Sequence, residues 1–145
     1  MATTHAPRHT ESTGRPFEYY CEYLLESAGY NVYSQSTIGV RPTSGTHVVD
    51  LEIIDDHPDK KGKLVSCKYQ EVDGSAYEKI VYEMCCLQAA CDDYGYSEAY
   101  ILITGPGWKY ADSFRNGAFD RYLNTPNVKV IIWDEFLEIF DLKEA

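Results

Sequence analysis

Two short apolar runs joined by a charged connection, His47 to Gln70, constrain the fold more than any other part of this chain. The first reads His-Val-Val-Asp-Leu-Glu-Ile-Ile and the second Lys-Leu-Val-Ser-Cys-Lys-Tyr-Gln. Between them, Asp55 to Gly62 is rich in Asp, Pro, Lys and Gly, the pattern of a β-hairpin with a long loop. Side chains alternate along a strand. Val48, Asp50 and Glu52 are therefore expected on one face, with Val49, Leu51 and Ile53 on the other. In the second strand, Leu64, Ser66, Lys68 and Gln70 share a face backed by Val65, Cys67 and Tyr69. Folding the hairpin near residues 58 to 59 brings Asp50 opposite or diagonal to Lys68, and Glu52 close to Ser66. On an arbitrary hairpin, an ion pair on a solvated face accounts for such a set. The rest of the chain asks more of it.

With 145 residues, of which 44% are hydrophobic, the chain has enough apolar side chain for one domain with a real core. Residues 1–14, rich in Thr, Ser, His and Pro, read as a flexible tail, and residues 15–145 as the single domain. No apolar run approaches the length of a membrane span, and no signal peptide precedes the first helix. The five cysteines (Cys21, Cys67, Cys85, Cys86 and Cys91) lack zinc-ligand spacing and read as reduced, buried thiols of a cytoplasmic protein. The four histidines suggest no metal site. Lys and Arg total 13 against 23 Asp and Glu, a formal charge of −10, which argues against binding nucleic acid by bulk attraction. The bases are nevertheless uneven. Arg8, Arg15, Arg41, Lys60, Lys61, Lys63 and Lys68 all fall in the first half, around the hairpin, while Asp134, Glu135, Glu138, Asp141 and Glu144 crowd the C-terminal end.

Pro16 suits the first turn of a helix that Gly29 ends. Phe17, Tyr20, Cys21, Leu24, Leu25 and Ala28 form its apolar stripe, with Glu18 at the stripe's edge. Asn31 to Ile38 reads as a strand, and Gly39 to Gly45 as a flexible loop carrying Arg41. After the hairpin, Asp73-Gly74 turns the chain and Ser75 to Glu78 makes a capping box. A long helix follows to about Tyr94, burying Ala76, Ile80, Met84, Leu87, Cys91 and Tyr94, with Gly95 as its stop. Glu98 to Thr104 reads as a strand with a fully apolar core from Ala99 to Ile103, Ala111 to Leu123 as a short helix and Val128 to Trp133 as another strand. Asp134 is expected to cap a last helix through Phe136, Leu137, Ile139 and Phe140. The order implies an α/β fold, a mixed central β-sheet flanked by helices.

In this order the residues resemble a PD-(D/E)XK nuclease with a restriction-endonuclease-like core. In that superfamily a helix carries a Glu, one strand ends in a metal-binding Asp and the next bears (D/E)-X-K. The resemblance covers roughly Pro16 to Thr104 and identifies Glu18 as the helix carboxylate, Asp50 as the metal-binding Asp and Ser66-Cys67-Lys68 as the tripeptide. Two departures stand out: Val49 rather than Pro precedes Asp50, and Ser66 occupies the acidic position. Some restriction-type members with Ser there take a carboxylate from the following helix, and some homing-type members use Gln. For the missing acid, Glu83 and Glu52 rank together, ahead of Glu78, which the capping box accounts for; Ser66 or Gln70 as a neutral ligand is a further option.

The resemblance implies hydrolysis of DNA phosphodiester bonds. Glu18, Asp50 and a backbone carbonyl near Cys67 suit Mg2+, with Mn2+ as a substitute, and Lys68 and Gln70 handle the attacking water. Arg41, Lys60, Lys61 and Lys63 are candidates for contacts to double-stranded DNA. One site cuts one strand, so a homodimer or higher symmetric oligomer is expected. A site-specific enzyme of homing or restriction type, in a bacterial or phage-host cytoplasm, comes first. A Holliday-junction-resolvase-like, structure-selective nuclease is the alternative. The rival of another class is a non-catalytic interaction or assembly module that kept the fold after losing its acid at Ser66.

Overall fold

A computed structural model describes residues 15–56, 61–70, 77–108 and 111–144. The N-terminal tail, Lys60, the Asp73-Gly74 turn, Ser75 of the expected capping box and Ala76 lie outside the described residues. The elements run α1 (Arg15–Ser27), β1 (Val32–Val40), β2 (Thr46–Ile53), β3 (Lys63–Tyr69), α2 (Tyr77–Tyr94), β4 (Glu98–Thr104), α3 (Ala111–Arg115), β5 (Val128–Ile131) and α4 (Trp133–Ile139). The five strands lie side by side in sequence order. Strands β1, β2 and β3 are antiparallel, while β3, β4 and β5 are parallel. The parallel half is reached through α2 and through the segment holding α3, since parallel neighbours need a crossover rather than a tight turn. None of the described helices is long and apolar enough to cross a membrane.

Each face of the sheet has its own core. On one, Phe17, Cys21, Leu24 and Leu25 of α1 and Phe136 of α4 meet Leu51, Ile53, Val65, Cys67, Tyr100 and Leu102. On the other, Ile80, Met84, Leu87 and Cys91 of α2 meet Val49, Leu64, Ala99, Ile101 and Ile103. Alternation along β3 and β4 assigns odd and even positions to opposite helices, as the pleat requires. Strand β2 breaks that rule. Val49 was expected beside Leu51, yet it belongs to the α2 side while Leu51 and Ile53 belong to the α1 side. The side-chain phase changes at Asp50, opposite Gln35, whose φ of 48° marks a local distortion of β1. A second irregularity follows between Thr37 and Gly39.

Other expectations are corrected at the ends of elements. Strand β1 runs on to Val40, so the expected loop is a tight turn closed by Arg41 N–H to the Gly45 carbonyl at 2.7 Å. Helix α3 stops at Arg115, just before Gly117 adopts a φ of 77°, which glycine takes without strain. Asp134 does not cap α4. The helix begins at Trp133, and the Glu135 carboxylate accepts the Ile132 N–H at 3.0 Å. Trp133 thus leaves the strand and is buried against α1, its ring 6.0 Å from that of Phe17. Of the cysteines expected to be buried, Cys85 is exposed on α2.

Candidate active site

The sheet opens at the point where β2 changes phase. Strands β2 and β3 pair from Ile53 opposite Lys63 to Leu51 opposite Val65. Beyond that, the Asp50 side chain reaches across, its Oδ2 accepting the Cys67 N–H at 2.6 Å. The Gln35 side chain approaches from β1. Its Nε2 donates to Asp50 Oδ1 at 3.2 Å and to Glu18 Oε2 at 2.8 Å. Helix α1 supplies Glu18 because its first turn is pinned by the neighbouring Phe17, which is fully buried. Two carboxylates from different elements thereby converge on one amide. Burial, and then the negative charge of Asp50, push the Glu18 carboxyl up to about 7, against the opposing pull of Arg15, Gln35 and Lys68. The Arg15 guanidinium stands 3.8 Å from the same Glu18 oxygen.

A third carboxylate arrives from α2. Glu83 lies one turn from Ile80 and Leu87, both buried against the sheet, and so is held at the inner edge of the helix. Its Oε2 accepts the Ser66 hydroxyl at 2.8 Å and lies 3.9 Å from Lys68 Nζ. A helix carboxylate is therefore hydrogen-bonded to the serine at position 66. Lys68 links the two groups, since it sits beside Glu83 and its charge is also felt by Glu18. Its ammonium has water access, with 36% of the side chain exposed.

The remaining candidates divide by position. Glu52 was expected near Ser66, but the register sets it opposite Leu64. Its two oxygens accept the Ser36 hydroxyl at 2.6 Å and the Tyr96 phenol at 2.9 Å. Glu78 is exposed on the first turn of α2. The Cys67 thiol is buried beside Cys21, and that hydrogen bond together with burial holds it protonated, well above the ordinary thiol range; what reaches the site is its backbone. Gln70 donates from Nε2 to the Gly107 carbonyl at 2.8 Å and braces the end of β3 against the turn after β4. Arg41 Nη1 donates to the Thr46 carbonyl at 2.8 Å within its own hairpin. Lys61 lies over the Tyr96 ring, 5.7 Å from its centre. Lys63 begins β3, so its backbone is about 16 Å from that of Lys68 at the strand's ordinary rise.

Two residues near these groups escaped the sequence reading. Gln35 sits mid-strand among polar neighbours, and nothing local marked it. His47 could have been noticed, because alternation puts it in register with the apolar residues of β2; it is buried, with Nε2 3.9 Å from Glu83 Oε1.

Among the described residues, no three His, Cys, Asp or Glu side chains close into a metal cage. The Glu18 and Asp50 oxygens instead share one hydrogen-bond donor, a position a hard cation can also occupy. Anionic oxygens from two elements, one of them disfavouring its own charge, fit a divalent ion that keeps several waters and completes its shell with phosphate.

A family model for the PD-(D/E)XK nuclease superfamily domain matches residues 9–139. Among solved structures, the chain is similar to the crystal structure of a protein of unknown function, AF1548, at 12% identity and a TM-score of 0.54. The match covers 87% of this chain and 66% of that one, so this chain spans about two thirds of the other's length, and the likeness concerns the fold alone. No curated protein matches.

Proposed function

This chain belongs to the PD-(D/E)XK nuclease superfamily, and from that premise we propose that it is a DNA endonuclease that uses Mg2+ to hydrolyse phosphodiester bonds. Glu18 and Asp50 hold the cation, Glu83 supplies the acid absent at Ser66, and Lys68 serves the attacking water. The observation that carries this reading is the Ser66–Glu83 hydrogen bond beside Lys68. A carboxylate turned onto the serine at the acidic position, with Lys68 beside it, supports the catalytic reading over a non-catalytic module. PD-(D/E)XK nucleases generally use divalent metals, and the chemistry such an ion supplies when bound is polarisation of the phosphate and a lowered pKa for its water.

The chain's own groups do the rest. Gln35 gives up its two carboxylate contacts and turns outward from β1. The Asp50 carboxylate stays oriented by the Cys67 N–H. Lys68 neutralises charge on the phosphoryl oxygens or takes the water's proton, helped by Glu83 beside it. The net charge of −10 makes non-specific attraction to DNA weak. That favours a site-specific enzyme of homing or restriction type over a structure-selective resolvase. Double-strand cleavage by so small a chain implies a homodimer, and the reading puts the protein in a bacterial or phage-host cytoplasm.

The test is incubation with long phage or genomic DNA and Mg2+, with the ends mapped. Discrete ends are expected, and Lys68→Ala should abolish them with the thermal melt unchanged. Full activity in Lys68→Ala would sink the assignment. Cleavage confined to four-way junctions would transfer it to the resolvase reading.

A further inference from the structure

His47 is a buried polar side chain beside Glu83 whose burial the site as described leaves unexplained. It is 1% exposed, and its Nε2 has no hydrogen-bond partner among the described residues. Leaving a buried ring nitrogen unsatisfied is disfavoured, and each such group calls for a reason. The nitrogen does not face an apolar wall. It looks onto Glu83 Oε1 at 3.9 Å, while the other oxygen of that carboxylate takes the Ser66 hydroxyl and faces Lys68. Glu83 therefore has one oxygen turned to the site and one turned to an imidazole behind it. The imidazole stands on a strand, at the head of β2, with Val49 packed in the core two residues on. Rigid backing of this kind is what a carboxylate borrowed from a helix needs, because a long Glu side chain otherwise samples several rotamers.

We propose that His47 is a positioning residue: through Nε2 it fixes the Glu83 carboxylate so that Oε2 stays turned toward Ser66 and Lys68. The separation is longer than a hydrogen bond and becomes one with a shift of about 1 Å. The inference rests on the reading of Glu83 as the acid of the metal site. Groups that orient a ligand from behind typically change metal affinity by about 10- to 100-fold when removed.

The test is Mn2+ affinity by titration calorimetry, with cleavage assayed in parallel. His47→Leu keeps bulk and loses the donor; His47→Gln restores an amide N–H near the position of Nε2. His47→Leu is expected to weaken Mn2+ binding about 10-fold or more, and His47→Gln to return it near the wild-type value. In a Glu83→Gln background, His47→Leu should add nothing, because the effect travels through Glu83. Unchanged affinity in a folded His47→Leu protein overturns the inference and leaves the nuclease reading standing. An additional loss in the Glu83→Gln background overturns it as well. If His47→Leu fails to fold, His47→Asn, whose amide is too short to reach Glu83, takes its place with the same expected loss. Should the wild-type protein bind Mn2+ and cut nothing, the nuclease reading fails while the binding series still decides on His47. A wild-type protein that binds no Mn2+ overturns both.

Discussion

Burial, and then the negative charge of Asp50, leave Glu18 partly protonated near neutrality, and the stability of the protein should record it. Its folded pKa, about 7, lies above the ordinary 4.5. The folded state therefore holds more proton than the unfolded one between those values, and stability falls as pH rises from about 4.5 through about 7. The side chain is only 13% exposed, so the loss is of order 3 kcal/mol at most. Glu18→Gln is expected to melt several degrees above wild type at pH 8 and close to it at pH 5. On the nuclease reading Mn2+ is expected to raise the wild-type melting temperature, and the same variant should lose that rise. Equal melting gaps at both pH values would show that Glu18 titrates normally. The other carboxylates can be sorted the same way. Glu83→Gln should lower cleavage about 100-fold or more with little change in stability. Glu52→Gln, which weakens the bonds from Ser36 and Tyr96, should cost about 1 to 2 kcal/mol in urea unfolding and leave the metal requirement unchanged.

Strand β3 carries Ser66, Cys67 and Lys68, and its far end is held by a clamp at the turn after β4. Gln70 N–H donates to the Thr104 carbonyl and Gly107 N–H to the Gln70 carbonyl, at 3.1 and 3.0 Å. Gly105 sits between them with a φ of 95°, and a Cβ there would come within 2.3 Å of the Gln70 carbonyl oxygen. Gly105→Ala should therefore cost about 2 to 4 kcal/mol. It should also reduce cleavage beyond what that loss of stability explains, since the end of β3 must shift; denaturation and kinetics on one preparation separate the two effects. At this scale the sequence was most readable where packing is periodic. Phe17, Cys21, Leu24 and Leu25 announced α1, and Ala99 to Ile103 announced β4, because burial on one stripe or on both faces leaves a pattern. Asp50 and Lys68 were legible through order and spacing. What hid was any contact made against the pattern, above all the phase change of β2 at Asp50, which carried Val49 to the other core. Glu52 and Glu83 stayed equal candidates until the register set Glu52 opposite Leu64 and the fold turned Glu83 onto Ser66. Gln35 was invisible for the same reason, since its role depends on a distorted backbone that no local residue type required.

For the whole molecule, the excess of acid sets how the proposed DNA substrate would be held. On the nuclease reading, a chain with net charge −10 would grip DNA through a few close cations and its metal rather than through a basic field. Cleavage should therefore respond gently to monovalent salt, with a log–log slope of kcat/KM of about −2 to −4, corresponding to two to four phosphate contacts; a slope near −8 would reveal a basic surface that the described residues do not suggest. The Gln35 amide adds a consequence of a different kind. Because it already sits between the Glu18 and Asp50 oxygens, metal loading on the nuclease reading would be an exchange of one occupant for another rather than the filling of a hole. Both carboxylates would then engage the ion only once the amide has swung away. Gln35→Ala, which leaves nothing to displace, should therefore bind Mn2+ more tightly than wild type in titration calorimetry; equal affinities would show that the amide does not compete.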